Sequence, residues 1–279
     1  MPARHRLGLI AGGGALPVEL AALRRAAGAP AFVVRLRGFA DPALQAFDGA
    51  DVGIAELGRC FEVLKRAGCD HVCMAGQVNR PDFAALKPDF RGVRALPGAI
   101  AAARQGDDAL LRYLLSQFEA EGFAVVGAHE VGSGILLHAG AAGVHEPDAG
   151  AQADIAQAMH VAGAIGALDI GQAVVVAGGL VLAVEAQEGT DALLRRCAEL
   201  PPAIRGQPSR RLGVLVKRPK PIQERRMDLP VIGVATIEGA AAASLAGIAG
   251  EAAGLIVLDR PAVIAAADRL GLFVYGVES

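Results

Sequence analysis

The sequence predicts an α/β fold in two domains. Short β-branched runs alternate with helical stretches through the first half, the pattern that builds parallel strands joined by crossover helices. A stretch rich in glycine, alanine and histidine follows from 131 to 152 without a sustained period, and beyond it a second series of strands and helices begins. The length of 279 residues exceeds one core of ~100–150 residues and falls short of three. The predicted organisation is an N-terminal domain over 1–130, a connector over 131–152 and a C-terminal domain over 153–279.

The first strand, Leu7–Ala11, runs into Gly12-Gly13-Gly14, and a helix over Pro17–Ala27 starts on a proline. Strands at Ala31–Leu36 and His71–Ala75 flank a helix over Glu56–Ala67. A helix over Asp107–Glu121 begins with two aspartates suited to the positive end of its dipole and stops at Gly122, before a strand at Phe123–Val126. Parallel strands with crossover helices make this domain Rossmann-like. In the second domain a helix over Ala153–Gly166 precedes strands Ala173–Ala177 and Leu180–Ala186, which form a hairpin through Gly178-Gly179. A helix starts near Thr190. Strands follow at Gly213–Lys217, Val231–Thr236, Leu255–Leu258 and Phe273–Gly276, with helices at Glu238–Gly247 and Pro261–Leu270.

Composition excludes several classes. Hydrophobic residues make up 53% and charged residues 20%, so the chain can bury cores. A net charge of -2 and 4% aromatic residues without tryptophan leave neither a field nor stacking platforms for nucleic acid. Any phosphate site must therefore be local. Cys60, Cys69, Cys73 and Cys197 show no C-x-x-C spacing and read as free cytosolic thiols. The apolar run from Leu7 stops too soon for a signal peptide, and Ala173–Val184 falls short of the ~20 residues of a membrane helix. No basic amphipathic helix for a membrane surface is legible.

Five segments could carry chemistry. The glycine loop Gly12–Gly14 lies between strand and helix, where backbone N–H groups can hold a phosphate; a tight turn explains the same glycines. It is not a dinucleotide fingerprint, because Pro17 stands where a glycine belongs and the second strand ends in Arg35-Leu36-Arg37 without an acid. Gln77-Val78-Asn79-Arg80 follows a buried strand, at the edge where α/β sheets bind ligands. Asp107-Asp108, flanked by Arg104 and Arg112, is explained by helix capping, with a phosphate role left open. Glu185-Ala186-Gln187-Glu188-Gly189-Thr190-Asp191 gathers three carboxylates at a strand end, with Glu185 and Gln187 on one face by alternation, which suits the edge of a Mg²⁺ site. Lys217–Pro230 carries five cations and two carboxylates stiffened by prolines, the residue types that offset a pyrophosphate and hold a metal or water.

Taken in order, these segments, with Asp169-Ile170-Gly171-Gln172, resemble the LpxI-type UDP-2,3-diacylglucosamine pyrophosphatases from Leu7 to about Val277. The resemblance implies an enzyme with its active-site cleft between domains, releasing UMP and the acylated sugar phosphate with Mg²⁺, or Mn²⁺ in its place. It implies Asp228 as the key catalytic residue and metal ligand, with Glu185 as a second ligand and Glu188 and Asp191 beside them. Gly12, Gly13, Gly14, Gln77, Arg80, Gln187, Thr190, Lys217, Lys220 and Arg225 would bind substrate. It also implies a cytoplasmic protein at the cytoplasmic face of the inner membrane, with peripheral membrane contact, and is compatible with a homodimer. A non-catalytic binder of a nucleotide sugar or lipid carrier is the alternative reading, against which the carboxylates clustered beside cations speak.

Overall fold

A computed structural model describes residues 6–79, 82–83, 85–132, 134–222 and 224–278. The chain divides into two compact units, Met1–Ser133 with Glu224–Asp228, and Gly134–Gln223 with Leu229–Ser279.

The first unit contains β1 (Leu7–Ala11), α1 (Ala15–Ala26), β2 (Phe32–Leu36), β3 (Gly49–Val52), α2 (Leu57–Arg66), β4 (His71–Ala75), α3 (Phe90–Ala103), α4 (Asp107–Ala120), β5 (Ala124–Val125) and α5 (Ala128–Val131). Its five strands are parallel in the order β3-β2-β1-β4-β5, the doubly wound Rossmann order, so the Rossmann-like expectation is correct. Ile10, Val34 and Val72 of the strands pack against Phe61 and Leu64 of α2 and Leu115 and Phe118 of α4. The rings of Phe61 and Phe118 meet edge to face at 5.0 Å.

β3, α3 and the single-turn α5 were not expected. β3 reads Gly-Ala-Asp-Val, a poor strand by propensity, and is held by its partner: Arg35 on β2 stands opposite Asp51 in the register and donates to it at 2.7 Å. α3 carries Gly92, Pro97 and Gly98, which break the helical pattern in the sequence; Asp89 caps it by accepting from the Gly92 N–H at 2.8 Å.

The second unit runs β6 (Gly140–Ala141), α6 (Ala149–Ala167), β7 (Ala173–Ala177), β8 (Leu180–Val184), α7 (Gly189–Ala198), α8 (Pro202–Arg205), β9 (Gly206–Gln207), β10 (Arg210–Arg211), β11 (Val214–Lys217), β12 (Val231–Ile232), α9 (Val234–Ala242), β13 (Gly247–Glu251), β14 (Ile256–Val257), α10 (Arg260–Leu270) and β15 (Phe273–Val277). A mixed sheet has the order β6-β15-β13-β11-β7-β8. Alternation splits its residues between two cores: Val175, Leu215, Ile248 and Val274 join a cluster with residues of α7, α9 and α10, while Val174, Val216, Ala249 and Phe273 join one with α6. Burial on both faces explains why β7 and β11 read as apolar runs.

Three expectations fail here. The helix expected over Glu238–Gly247 is α9 and ends at Ala242, while Gly247 opens the central strand β13, whose Gly-Ile-Ala-Gly-Glu sequence gives little strand signal. Thr236 belongs to α9, and the strand expected to reach it ends at Ile232. β8 ends at Val184, before Glu185.

The Gly178-Gly179 turn is present, with both glycines at positive φ (57° and 78°). Asp154 on α6, 6% exposed, accepts from the N–H groups of Gly178 and Gly179 at 2.9 and 2.8 Å. Asp154→Ala strands both turn amides and is expected to cost about 1–3 kcal/mol, read from chemical denaturation.

Candidate active-site residues

In the first unit, the loops after β1 and β4 close on each other at the C-terminal edge of the sheet. The Gly12 N–H donates to Ala75 O at 2.9 Å, the Gly13 N–H to Gln77 O at 2.8 Å, and the Gln77 N–H returns to Gly13 O at 2.9 Å. A Cβ on Gly12 would stand 2.6 Å from Gln77 O, so close backbone approach requires this glycine. The amides of Gly12 and Gly13 thus hold the neighbouring loop rather than a phosphate, which corrects the cradle expected there. Gly14, at φ 85°, is the N-cap of α1, and the Gln77 side chain is exposed beside it. Arg80 lies outside the described residues.

The basic, proline-rich segment divides between the units. Glu224–Asp228 belongs to the first, and its own and neighbouring side chains fasten it there. Asp108 of α4 accepts from the Glu224 N–H at 2.9 Å and from Arg112 Nε at 2.6 Å. Arg226 donates to Glu224 at 3.1 Å and to Glu119 of α4 at 2.9 Å. Met227 packs against the aromatic core. Asp108 is therefore not a helix cap, as expected from sequence, but an anchor; the cap position is Gly106. The carboxylate of Asp228 is exposed directly after this anchored turn, and Arg225 within it is exposed as well.

Arg226 foremost holds the Glu224 carboxyl below its ordinary value of 4.5. A depressed carboxyl adds stability that is full above its unfolded value and is lost as pH falls through the lower folded value. The difference in thermal midpoint between wild type and Glu224→Gln is expected to be largest at neutral pH and to vanish on acidification below 4.5.

In the second unit, β8 and β11 are both antiparallel to β7, so both end at the same sheet edge. There Glu185 (6% exposed) and Lys217 (5% exposed) share Thr190. The Thr190 hydroxyl donates to Glu185 Oε1 at 2.6 Å, and Lys217 Nζ donates to Thr190 Oγ1 at 2.8 Å and to Val231 O at 3.0 Å. Glu185 Oε2 accepts from the Gln172 N–H at 3.1 Å. Thr190 therefore links strand ends instead of capping α7, whose N-cap is Glu188. Gln187 is exposed while Glu185 is buried, so the two do not share a face as alternation predicted.

The remaining residues take simpler places. Glu188 pairs with Arg196 at 2.5 Å and accepts from the Ala186 N–H; its own N–H first, then Arg196, holds its carboxyl below the ordinary range. Asp191 is exposed in the first turn of α7. Lys220 donates to Asp169 at 2.6 Å, and Asp169 has φ 56°. All four cysteines are free and buried, and burial pushes the thiols of Cys60 and Cys73 up to about 12 and those of Cys69 and Cys197 to about 11.

Glu185 does not fit a metal ligand: both oxygens are engaged, and a buried ammonium stands across the shared hydroxyl. Among the described residues no three His, Cys, Asp or Glu side chains form a metal cage. Asp228 is a single exposed carboxylate, the type of donor Mg²⁺ uses when it completes its shell with phosphate oxygens and water. Sequence reasoning missed Glu224, Arg226 and Asp154 as fasteners, because their partners are remote in sequence.

The comparisons agree across the chain. Residues 6–135 match the LpxI N-terminal domain and residues 138–275 the LpxI C-terminal domain. A protein of Caulobacter vibrioides named UDP-2,3-diacylglucosamine pyrophosphatase LpxI is 63% identical over 274 residues, 98% of either chain. A solved structure, CobK precorrin-6A reductase, aligns with 98% of this chain and 88% of its own at 15% identity and a TM-score of 0.34. With both domain models matched in tandem and a relative at that identity, the chain belongs to the LpxI family.

Proposed function

We propose that this chain hydrolyses the pyrophosphate bond of UDP-2,3-diacylglucosamine, giving UMP and 2,3-diacylglucosamine 1-phosphate, in the cytoplasm at the inner membrane. The observation that carries the reading is the 63% identity, over 98% of both chains, to the Caulobacter vibrioides pyrophosphatase. In the reaction a water oxygen adds to one phosphorus, the bridging P–O bond breaks, and the other phosphate leaves. Asp228 is the residue assigned to the reacting groups: its exposed carboxylate can orient the water and hold Mg²⁺, or Mn²⁺, against the diphosphate. When bound, the metal neutralises the charge that develops on the phosphoryl oxygens. Arg225 and Lys220 are assigned to the diphosphate, Lys220 through exchange with Asp169. Lys217 and Thr190 are assigned a positioning role, since both are committed to the Glu185 network.

The test is UMP release from UDP-2,3-diacylglucosamine by the purified chain, with Mg²⁺, with Mn²⁺ and with chelator. Metal-dependent UMP supports the reading. UMP that persists in chelator keeps the pyrophosphatase and removes the metal. No UMP from folded protein favours a binder of the same nucleotide sugar.

A further inference from the structure

The helix α3 (Phe90–Ala103) sends an unusual stripe to solvent. At 100° per residue Phe90, Val93, Arg94, Pro97, Ala101 and the C-cap residue Arg104 fall on one face, and all six are exposed. Phe90 is 78% exposed and Val93 55%. The opposite face holds the buried Gly92 and Ala103. The helix contains no acidic residue, and the exposed Lys87 lies just before it. Of the nearby carboxylates, Asp89 accepts from the N–H groups of Gly92 and Arg59 and Glu121 pairs with Lys65 and Arg91, while the exposed Asp107 opens the next helix and makes no ion pair with Arg104. Lys87, Arg94 and Arg104 have no ion-pair partner among the described residues.

We propose that this face of α3 docks the protein on an anionic lipid bilayer. An apolar stripe led by an aromatic residue and bordered by unpaired arginines is the pattern of a helix lying in the interface: the apolar side chains enter the acyl boundary and the cations meet the headgroups. Pairing with a second copy is the poorer occupant, because this acid-free face offers a copy of itself no carboxylate to meet Arg94 and Arg104. The choice of a membrane rests on the proposed diacylated substrate, which resides in lipid. Among the described residues no helix is long and apolar enough to cross a membrane, so a surface dock is the form such contact takes here.

The whole chain is sedimented with vesicles of phosphatidylglycerol and phosphatidylcholine, and with phosphatidylcholine alone. The anionic vesicles are expected to carry it down, and Phe90→Asp with Val93→Asp, or Arg94→Glu with Arg104→Glu, to lower binding at least about tenfold. Both variants should retain UMP release from detergent-dispersed substrate. Absence of vesicle binding, or undiminished binding by either variant, overturns the proposal. A dimer in vesicle-free buffer that the aspartate pair converts to a monomer also overturns it, and makes the face a self-interface. Vesicle binding lost in the variants, in a protein that releases no UMP, upholds the dock and removes the activity.

Discussion

Asp228→Ala is expected to lower UMP release by about 10³-fold while moving the thermal midpoint by no more than ~2 °C. The two halves of this expectation have separate causes. The fold tolerates the change because the side chain is exposed, and because the turn that carries it is fastened by others. Glu224 is held by Asp108, Arg226 bridges Glu224 and Glu119, and Met227 enters the aromatic core. The activity is expected to fall because the two carboxylates described beside it are committed elsewhere: Glu224 to Arg226, and Glu119 to the same guanidinium. Asp228→Asn separates charge from shape. Asparagine keeps an acceptor but neither draws a cation nor takes a proton from water, so it should be as inactive as alanine. Activity within tenfold of wild type in Asp228→Ala would remove this residue from the reaction.

The sequence made the strongly periodic elements legible, and the exceptions share a cause. β1, β4, α4 and the β7–β8 hairpin carry their own patterns and turn residues, and each lies close to its expected place. β3, β13 and α3 do not. β3 is a strand because β2 supplies its partner and Arg35 its cross-strand ion pair, while β13 is one because β11 and β15 hydrogen-bond it on both sides. α3 is a helix through its Asp89 cap and packing, despite Pro97. The same limit applies at the site. That Glu185, Glu188 and Asp191 stand close in sequence was readable, but not that Glu185 would be buried against Thr190 while Gln187 and Glu188 turn to solvent, because that depends on where β8 stops. The glycine loop was recognisable as a loop; that its amides serve Ala75 and Gln77 required the fold, since these partners lie more than sixty residues away.

Glu185→Ala is expected to destabilise the second unit by about 3 kcal/mol, a fall of roughly 6–12 °C in its thermal midpoint. The substitution removes the acceptor of the Gln172 N–H and of the Thr190 hydroxyl, and leaves the Lys217 ammonium, 5% exposed, without the carboxylate across Thr190. Breaking a buried charged network by deleting one partner costs more than its net contribution, because the remaining charge stays desolvated. Glu185→Gln divides the two roles this residue has been assigned. Its carbonyl can still accept from Gln172 and its amide can donate to Thr190, so part of the stability should return. Were Glu185 a metal ligand, the amide would be the damaging change: activity would fall in Glu185→Gln at an unchanged midpoint, and added Mg²⁺ would partly restore it. The geometry favours the opposite pattern, in which the midpoint falls in the order wild type, glutamine, alanine, and activity measured well below each midpoint follows the fraction folded with no change in its metal requirement.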